Sequence, residues 1–312
     1  MGDFREKVLA RRSGILSYGL TPPRAAHGAE QLTAIAARQR DQIRTLPVDA
    51  VVLYDLQDES SRDASPRPFA FLPTLDPFDY SREYLGNPAR DLIVYRAVAN
   101  HDEAGFAAWL SAADSASEPA AVTFVGSPSR EPGGGGSRLD LRRAYALYAE
   151  RCKRLLLGGI AIAERHAKKG DEHRRMLEKQ ALGCSFFVSQ AVYDTKASSL
   201  LISDLAREAA AREMQPAPLL LTITPCGSSK ALEFMKWLGI SFDPVIERRL
   251  LQASDMLRES IAICEQSILE IAERQHGPVP LGINVESVSI RRADIEAAVE
   301  LVAFARRALA AG

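Results

Sequence analysis

Short apolar runs alternate with longer stretches of mixed polarity along the whole chain. The runs at 15–20 (ILSYGL), 50–56 (AVVLYDL), 91–97 (DLIVYRA), 120–125, 156–162, 186–190, 219–224 and 281–286 have the length and composition of strands. The first is halted by Thr21-Pro22-Pro23, because proline can neither extend a ladder nor continue a helix. Between the runs, apolar residues recur at helical spacing, as at Leu32, Ile35, Ala36, Ile43 and Leu46, and again at Phe106, Trp109 and Leu110. Helical sequence also fills 141–153, 171–182, 198–214, 228–238, 243–275 and 292–311, with Asp171 as an N-cap and a break inside 243–275. The stretch 155–194 shows the unit most plainly. One apolar run ends in Glu164-Arg165-His166, a charged helical segment follows, and a second run ends in Gln190. That is a strand–helix–strand crossover of a parallel sheet.

Eight such strands, each leading to a helix or to a loop before one, predict an α/β protein. Connections are mostly short, no composition shift marks a linker, and no internal repeat is present. The expected architecture is one (βα)8 barrel, the TIM-barrel class, over 1–312, with extra helices before the last strand. Two stretches stand out as loops. Residues 60–88 are rich in proline and aromatics and should lie over one face, and Gly133–Gly136 is a glycine run.

Composition narrows the function by exclusion. With a net charge of −1 over 312 residues, the chain lacks the basic field of a nucleic-acid binder. Its hydrophobic fraction of 46% and charged fraction of 25% are those of an ordinary globular protein, and no run stays apolar long enough to span a bilayer. The first residues, MGDFREKVLARRSG, carry no signal-peptide core, and Glu6 stands where myristoylation needs Ser or Thr. Cys152, Cys184, Cys226 and Cys264 form no CxxC pair, which reads as reduced structural thiols in a cytoplasmic protein. The glycine run is neither GxGxxG nor a lead into GK[ST]. Lys230 lies beyond the seventh strand, so a Schiff-base lysine fits poorly. His166 and His173, with Glu172 between them, match no metal-motif spacing, and no metal is expected.

In a barrel, the residues at the carboxyl ends of the strands share one mouth. Here they are Tyr18 and Gly19, then Asp55 with Asp58 and Glu59, then Arg96 and Ser127. Glu164 and His166, Gln190, Thr224, Asn284 and Glu286 complete the ring, with Arg165 nearby. Carboxylates and amides dominate, which suits a neutral or partly cationic heterocycle with several N–H donors. An unpaired buried donor costs about 1–3 kcal/mol, so these acceptors would fix orientation. Each residue also has a plainer reading. His166 could be a solvated loop histidine, Gln190 could satisfy a backbone group, and Asp55–Glu59 could form an exposed turn. Glu286 is harder to set aside, because a carboxylate facing into a barrel needs a partner.

Four segments carry a resemblance to a known family. They are LTPPR after the first strand, AIAERH with the helix behind it, FFVSQAVYD, and PLLLTITPCGSSKALEFMKWLGISFDPVIERRL. In order and spacing, over nearly the whole length, they resemble the methylenetetrahydrofolate reductase family, itself a (βα)8 barrel. The resemblance implies reduction of 5,10-methylenetetrahydrofolate to 5-methyltetrahydrofolate, or the reverse oxidation, in one-carbon metabolism. It implies NAD(P)H as the hydride source, through FAD in most members and directly in a flavin-free branch. Gln190 matches the family's pterin-binding glutamine. Glu164 and His166, flanking Arg165, match the segment that contacts the cofactor in flavin-containing members, and Gly126 belongs to the cofactor-side turn after the fourth strand. Asn284, Ser127, Tyr18 and Gly19 fall on the substrate side.

The departures matter as much. The family's acid is a glutamate just before the Pro-Pro, and Gly19 stands there. Ser127 replaces the aspartate that flavin-containing members carry after the fourth strand, and the acidic 55–59 run replaces a glycine-rich flavin segment. Those two changes resemble the flavin-free branch; Gly19 matches neither branch. Either the acid has moved to a flanking strand, with Glu59, Asp58, Asp55 and Glu286 as candidates, or the barrel binds a folate-like ligand, or acts on another substrate, without hydride transfer. The expected partner is a small folate-like molecule, with no nucleic acid and no membrane, and a homo-oligomer is compatible with the pattern.

Overall fold

The computed structural model describes residues 4–58, 65–126 and 139–311. Strands β1 (Leu16–Leu20), β2 (Ala50–Leu53), β3 (Asp91–Ala97), β4 (Ala121–Val125), β5 (Leu156–Ala161), β6 (Cys184–Ala191), β7 (Leu219–Ile223) and β8 (Leu281–Val285) close in sequence order into a parallel barrel. The closure is the pairing of β8 with β1, with Ser17 opposite Asn284. Helix α1 (Phe4–Leu9) precedes β1, and α2 (Ala29–Thr45) follows it. The long connection after β2 holds α3 (Pro77–Tyr80) and a π turn, Ser81–Leu85. Then come α4 (Glu103–Ser115), α5 (Leu141–Arg151), α6 (Ala163–Lys169), α7 (Glu172–Ala181) and α8 (Thr195–Ala211). After β7 the chain makes three helices, α9 (Ser229–Trp237), α10 (Pro244–Gln252) and α11 (Met256–Glu273), and it closes with α12 (Arg292–Ala311). The (βα)8 barrel with extra helices before the last strand is what the strand count predicts.

Some boundaries differ from the sequence expectation, for local reasons. The second strand stops at Leu53, leaving Tyr54 and Asp55 on the rim. The sixth starts at Cys184, two residues early. The 243–275 stretch is two helices because Asp255 caps a new one, its carboxylate accepting from Arg258 N. Glu164-Arg165-His166 is not a strand exit but the first turns of α6, which Gly170 ends in the left-handed region at φ 67°. Among the described residues, no helix is long and apolar enough to cross a membrane.

Strand alternation divides the side chains into two sets. Leu16, Tyr18, Val51, Leu53, Leu92 and Val94 pack outward against the helices. Ile15, Ala50, Val52, Tyr54, Ile93, Tyr95, Ala121, Leu156, Phe186, Val188 and Leu220 fill the interior. Phe4 and Val8 of α1 join this inner set from below, with the Phe4 ring edge-on to Phe186 at 5.3 Å. Helix α1 therefore plugs the amino-terminal end of the barrel. Asp49 clamps it there: the buried carboxylate accepts from Leu16 N at 2.8 Å and from Lys7 at 2.9 Å and pairs with the Arg306 guanidinium at 3.1 Å. A buried charge is tolerated only with partners of this kind.

At the opposite rim, residues 65–76 join the β2 side to the β7 side. Thr74 bridges to Arg24, and the Arg67 guanidinium lies over the rings of Phe71, Phe234 and Trp237 at 5.2, 5.3 and 5.5 Å. Trp237 donates to the Ser65 carbonyl at 3.2 Å.

Candidate functional site

The inner face of the barrel changes character toward the mouth, from aliphatic to polar. Ser17 donates to Asn284 Oδ1 at 2.8 Å, and Asn284 Nδ2 donates to Tyr54 Oη at 2.9 Å and to Thr222 Oγ1 at 3.2 Å. Thr222 in turn donates to the Ser189 carbonyl at 2.7 Å. Because Asn284 supplies a proton to the Tyr54 oxygen, the phenol turns its own proton toward its other partner, the Glu286 carboxyl. Tyr95 closes the group edge-on, its ring centre 5.0 Å from that of Tyr54.

Gly19 lies against this group. A Cβ placed on it would sit 2.6 Å from Tyr54 Cε2, 2.7 Å from Tyr54 Oη and 2.8 Å from Glu286 Cβ. The space that a side chain would need on the first strand is thus taken from both sides, by the Tyr54 ring and hydroxyl just beyond β2 and by the Glu286 Cβ just beyond β8. The Glu286 carboxyl itself is the hydrogen-bond partner of that Tyr54 hydroxyl. Burial raises the Glu286 pKa above the ordinary 4.5, and the Tyr54 hydrogen bond opposes that rise only in part. Burial, with the Glu286 charge beside them, raises Tyr54 and Tyr95 as well. A carboxyl whose pKa burial raises is a better general acid than an exposed one.

The other expected acids lie elsewhere. Asp55 fastens two strand ends, accepting from Ala97 N at 2.8 Å and from Gln57 at 2.6 Å, and burial raises its pKa. Asp58 is exposed. Glu59 and Ser127 lie outside the described residues. Gly126 is half-buried, with Leu141 where a Cβ would go. Tyr18 points outward to α2, where Gln42 meets its hydroxyl at 3.4 Å. Arg96 also faces out, paired with Asp76 and stacked 4.7 Å from the Trp109 ring centre.

On the β5–β6 side the polar residues are engaged by their own surroundings. Gln190 donates to the Leu238 carbonyl at 2.8 Å, and Glu164 accepts from Ser241 N at 3.4 Å, so both hold the segment that follows α9. Burial raises the Glu164 pKa. Arg165 pairs with the fully buried Glu172 at 3.0 Å. His166 is buried between helices, its Nε2 3.0 Å from Asp204 Oδ2 on α8. With Arg165 and His166 turned to helix partners, this set does not fit a flavin.

Tyr54 is the residue that the strand pattern hid. Inside AVVLYDL it reads as one more strand aromatic, yet counting alternate residues from Ala50 and Val52 places it on the inner face. The same count from Ser17 reaches Gly19, and from Asn284 it reaches Glu286.

No protein-family model matches the chain, and no curated protein matches it. Among solved structures, the chain is similar to an uncharacterized protein from Clostridium thermocellum that binds two copies of 5-methyl-5,6,7,8-tetrahydrofolic acid. The two are 35% identical over 97% of this chain and 98% of that one, with a TM-score of 0.83. The chain belongs to that protein's family. Tryptophan synthase from M. tuberculosis, at 11% identity and a TM-score of 0.50 over 97% of this chain and 95% of that one, shares the fold alone.

Proposed function

We propose that the chain binds a reduced folate at the mouth of its barrel and reduces 5,10-methylenetetrahydrofolate to 5-methyltetrahydrofolate at the expense of NAD(P)H. The observation that carries this reading is the full-length family member that binds the methylated folate, which is the product of that reaction. The resemblance of four sequence segments to methylenetetrahydrofolate reductases supports it. So does Glu286, whose Cβ packs against Gly19, the position where those reductases keep their acid.

Opening the five-membered ring of the substrate requires a proton on N10. Glu286, whose pKa burial raises, would give that proton and become a carboxylate as the bond between N10 and the methylene carbon breaks. The cation left on N5 and the methylene carbon is then stabilised by the carboxylate just formed. Tyr54, whose hydroxyl is fixed by Asn284, would hold Glu286 in place and return a hydrogen bond to the new charge. A reduced nicotinamide supplies the hydride to the methylene carbon. The sum is one substrate, one NAD(P)H and one proton, giving methyltetrahydrofolate and NAD(P)+. Gln190 would orient the pterin by exchanging its bond to the Leu238 carbonyl for one to the ligand.

The test is incubation of the purified chain with methylenetetrahydrofolate and NADH or NADPH, following nicotinamide oxidation and methyltetrahydrofolate formation together. Stoichiometric appearance of both is the expected result. Absence of turnover with either nucleotide, with or without added flavin, overturns the reductase reading. A second reading then takes its place: a barrel that holds a reduced folate without hydride transfer, in keeping with a relative that binds the methylated form twice. It predicts saturable protection by 5-methyltetrahydrofolate against thermal unfolding and no nicotinamide oxidation.

A further inference from the structure

The helix layer outside β5 and β6 holds a cluster that the folate chemistry does not use. His166 of α6, His173 of α7 and Asp204 of α8 come together, and one nitrogen or oxygen from each lies within 4.8 Å of the other two. Both histidines are buried, at 1% and 4% exposure. Each leaves its Nδ1 without a hydrogen-bond partner, although a buried ring nitrogen normally finds one. The rings meet edge to face with centres 5.1 Å apart, and it is their Nε2 atoms that face the carboxylates of α8.

We propose that His166, His173 and Asp204 form a zinc site that ties α6, α7 and α8 together. Two imidazoles and a carboxylate are a donor set suited to zinc. The 3.0 Å between His166 Nε2 and Asp204 Oδ2 is close to the edge of a tetrahedron with bonds of ~2.0–2.1 Å. Glu208 lies one turn beyond Asp204 on the same face of α8, with Oε2 4.0 Å from His173 Nε2, and can supply the fourth ligand, a second carboxylate oxygen. The outer contacts are those of a metal-bound carboxylate: Arg207 donates to Asp204 Oδ1 at 2.7 Å, and Arg212 donates to Glu208 at 2.8 Å. Arg174 stands 3.9 Å from the same Glu208 oxygen that faces His173. The spacing in sequence hides the site, since His166 and His173 lie on different helices with Gly170 between them.

The experiment is a zinc titration of the full chain after exhaustive chelation, read by calorimetry, by metal content after gel filtration and by thermal unfolding. One zinc per chain and a Tm raised by a few degrees are expected. H166Q and H173Q should each weaken zinc binding by at least ~10–100-fold. Should either variant fail to fold, cobalt(II) loading of the unmutated chain decides: tetrahedral d–d bands without a thiolate charge-transfer band support the site. No saturable binding of zinc or cobalt overturns the proposal. So does a cobalt spectrum with thiolate character, or binding that both variants leave unchanged.

Discussion

The two sides of the barrel mouth are built from similar residues and do different things with them. On the β8–β1–β2 side, Asn284, Glu286 and Tyr54 point into the barrel, and one hydrogen-bonded chain joins them from Ser17 to the carboxyl. On the β5–β6 side, Glu164, Arg165, His166 and Gln190 bond to backbone groups and to other helices. Residue type does not distinguish the sides; direction does. A carboxylate at an inward strand position is raised in pKa by burial and has a phenol for a partner. A carboxylate on the first turn of a helix, such as Glu164, caps a neighbouring segment. The proton donor of the proposed reaction therefore belongs to the first side, and the second side shapes the rim.

Breaking the inward chain at its end should have the largest effect. Glu286→Gln keeps the shape and removes the proton, so the steady-state reduction rate is expected to fall ~10²–10⁴-fold. Calorimetric affinity for 5-methyltetrahydrofolate should hold within a few-fold, because N10 carries no ring to open in that ligand. An unchanged rate would move the acid to another carboxylate and erase the contrast between the sides.

A smaller change tests whether the space at Gly19 is as full as it is described to be. Gly19→Ala sets a methyl group 2.6–2.8 Å from Tyr54 and Glu286, both anchored by neighbours. Overpacking of this kind costs about 1–3 kcal/mol, to be read as a lower urea midpoint with an unchanged slope. Ready acceptance of the methyl group would show that Tyr54 moves freely, and the proposed acid would lose its support.

The gentlest test is titration. The native state holds the Glu286 proton more tightly than the unfolded chain does, so stability falls as pH rises from about the ordinary carboxylate value of 4.5 through the raised native pKa. Glu286→Gln has no such proton and should flatten that part of the curve. Asp55 and Glu164, also raised by burial, titrate in both proteins and cancel in the difference.

Much of this was legible in the residues before any coordinates. Eight short, nearly continuous apolar runs between helical stretches point to the barrel, because parallel strands buried on both faces read as such runs and their number matches a closed (βα)8 sheet. The missing side chain at Gly19, and Glu286 as a residue in want of a partner, were also visible. Tyr54 was not: the run 50–56 looked like uninterrupted strand, and a tyrosine there fits strand propensity as well as it fits a site. His166 is expected at the mouth because 163–166 reads as the exit of the fifth strand, whereas these residues open α6. The phase of a short helix cannot be fixed by its own sequence. The pairing of His166 with His173 and Asp204 was hidden for the same reason, since tertiary packing of three helices decides it.

With its floor closed by α1, Phe4 wedged against Phe186 and Asp49 locking Lys7 and Arg306, and its interior filled by strand side chains, the barrel is open only at its mouth. In the proposed reaction the folate and the nicotinamide would therefore both enter by that mouth to meet above Glu286. Whichever seats deeper has to load first and leave last, so turnover in such a vessel should follow a compulsory queue, visible as competitive product inhibition against one reactant alone.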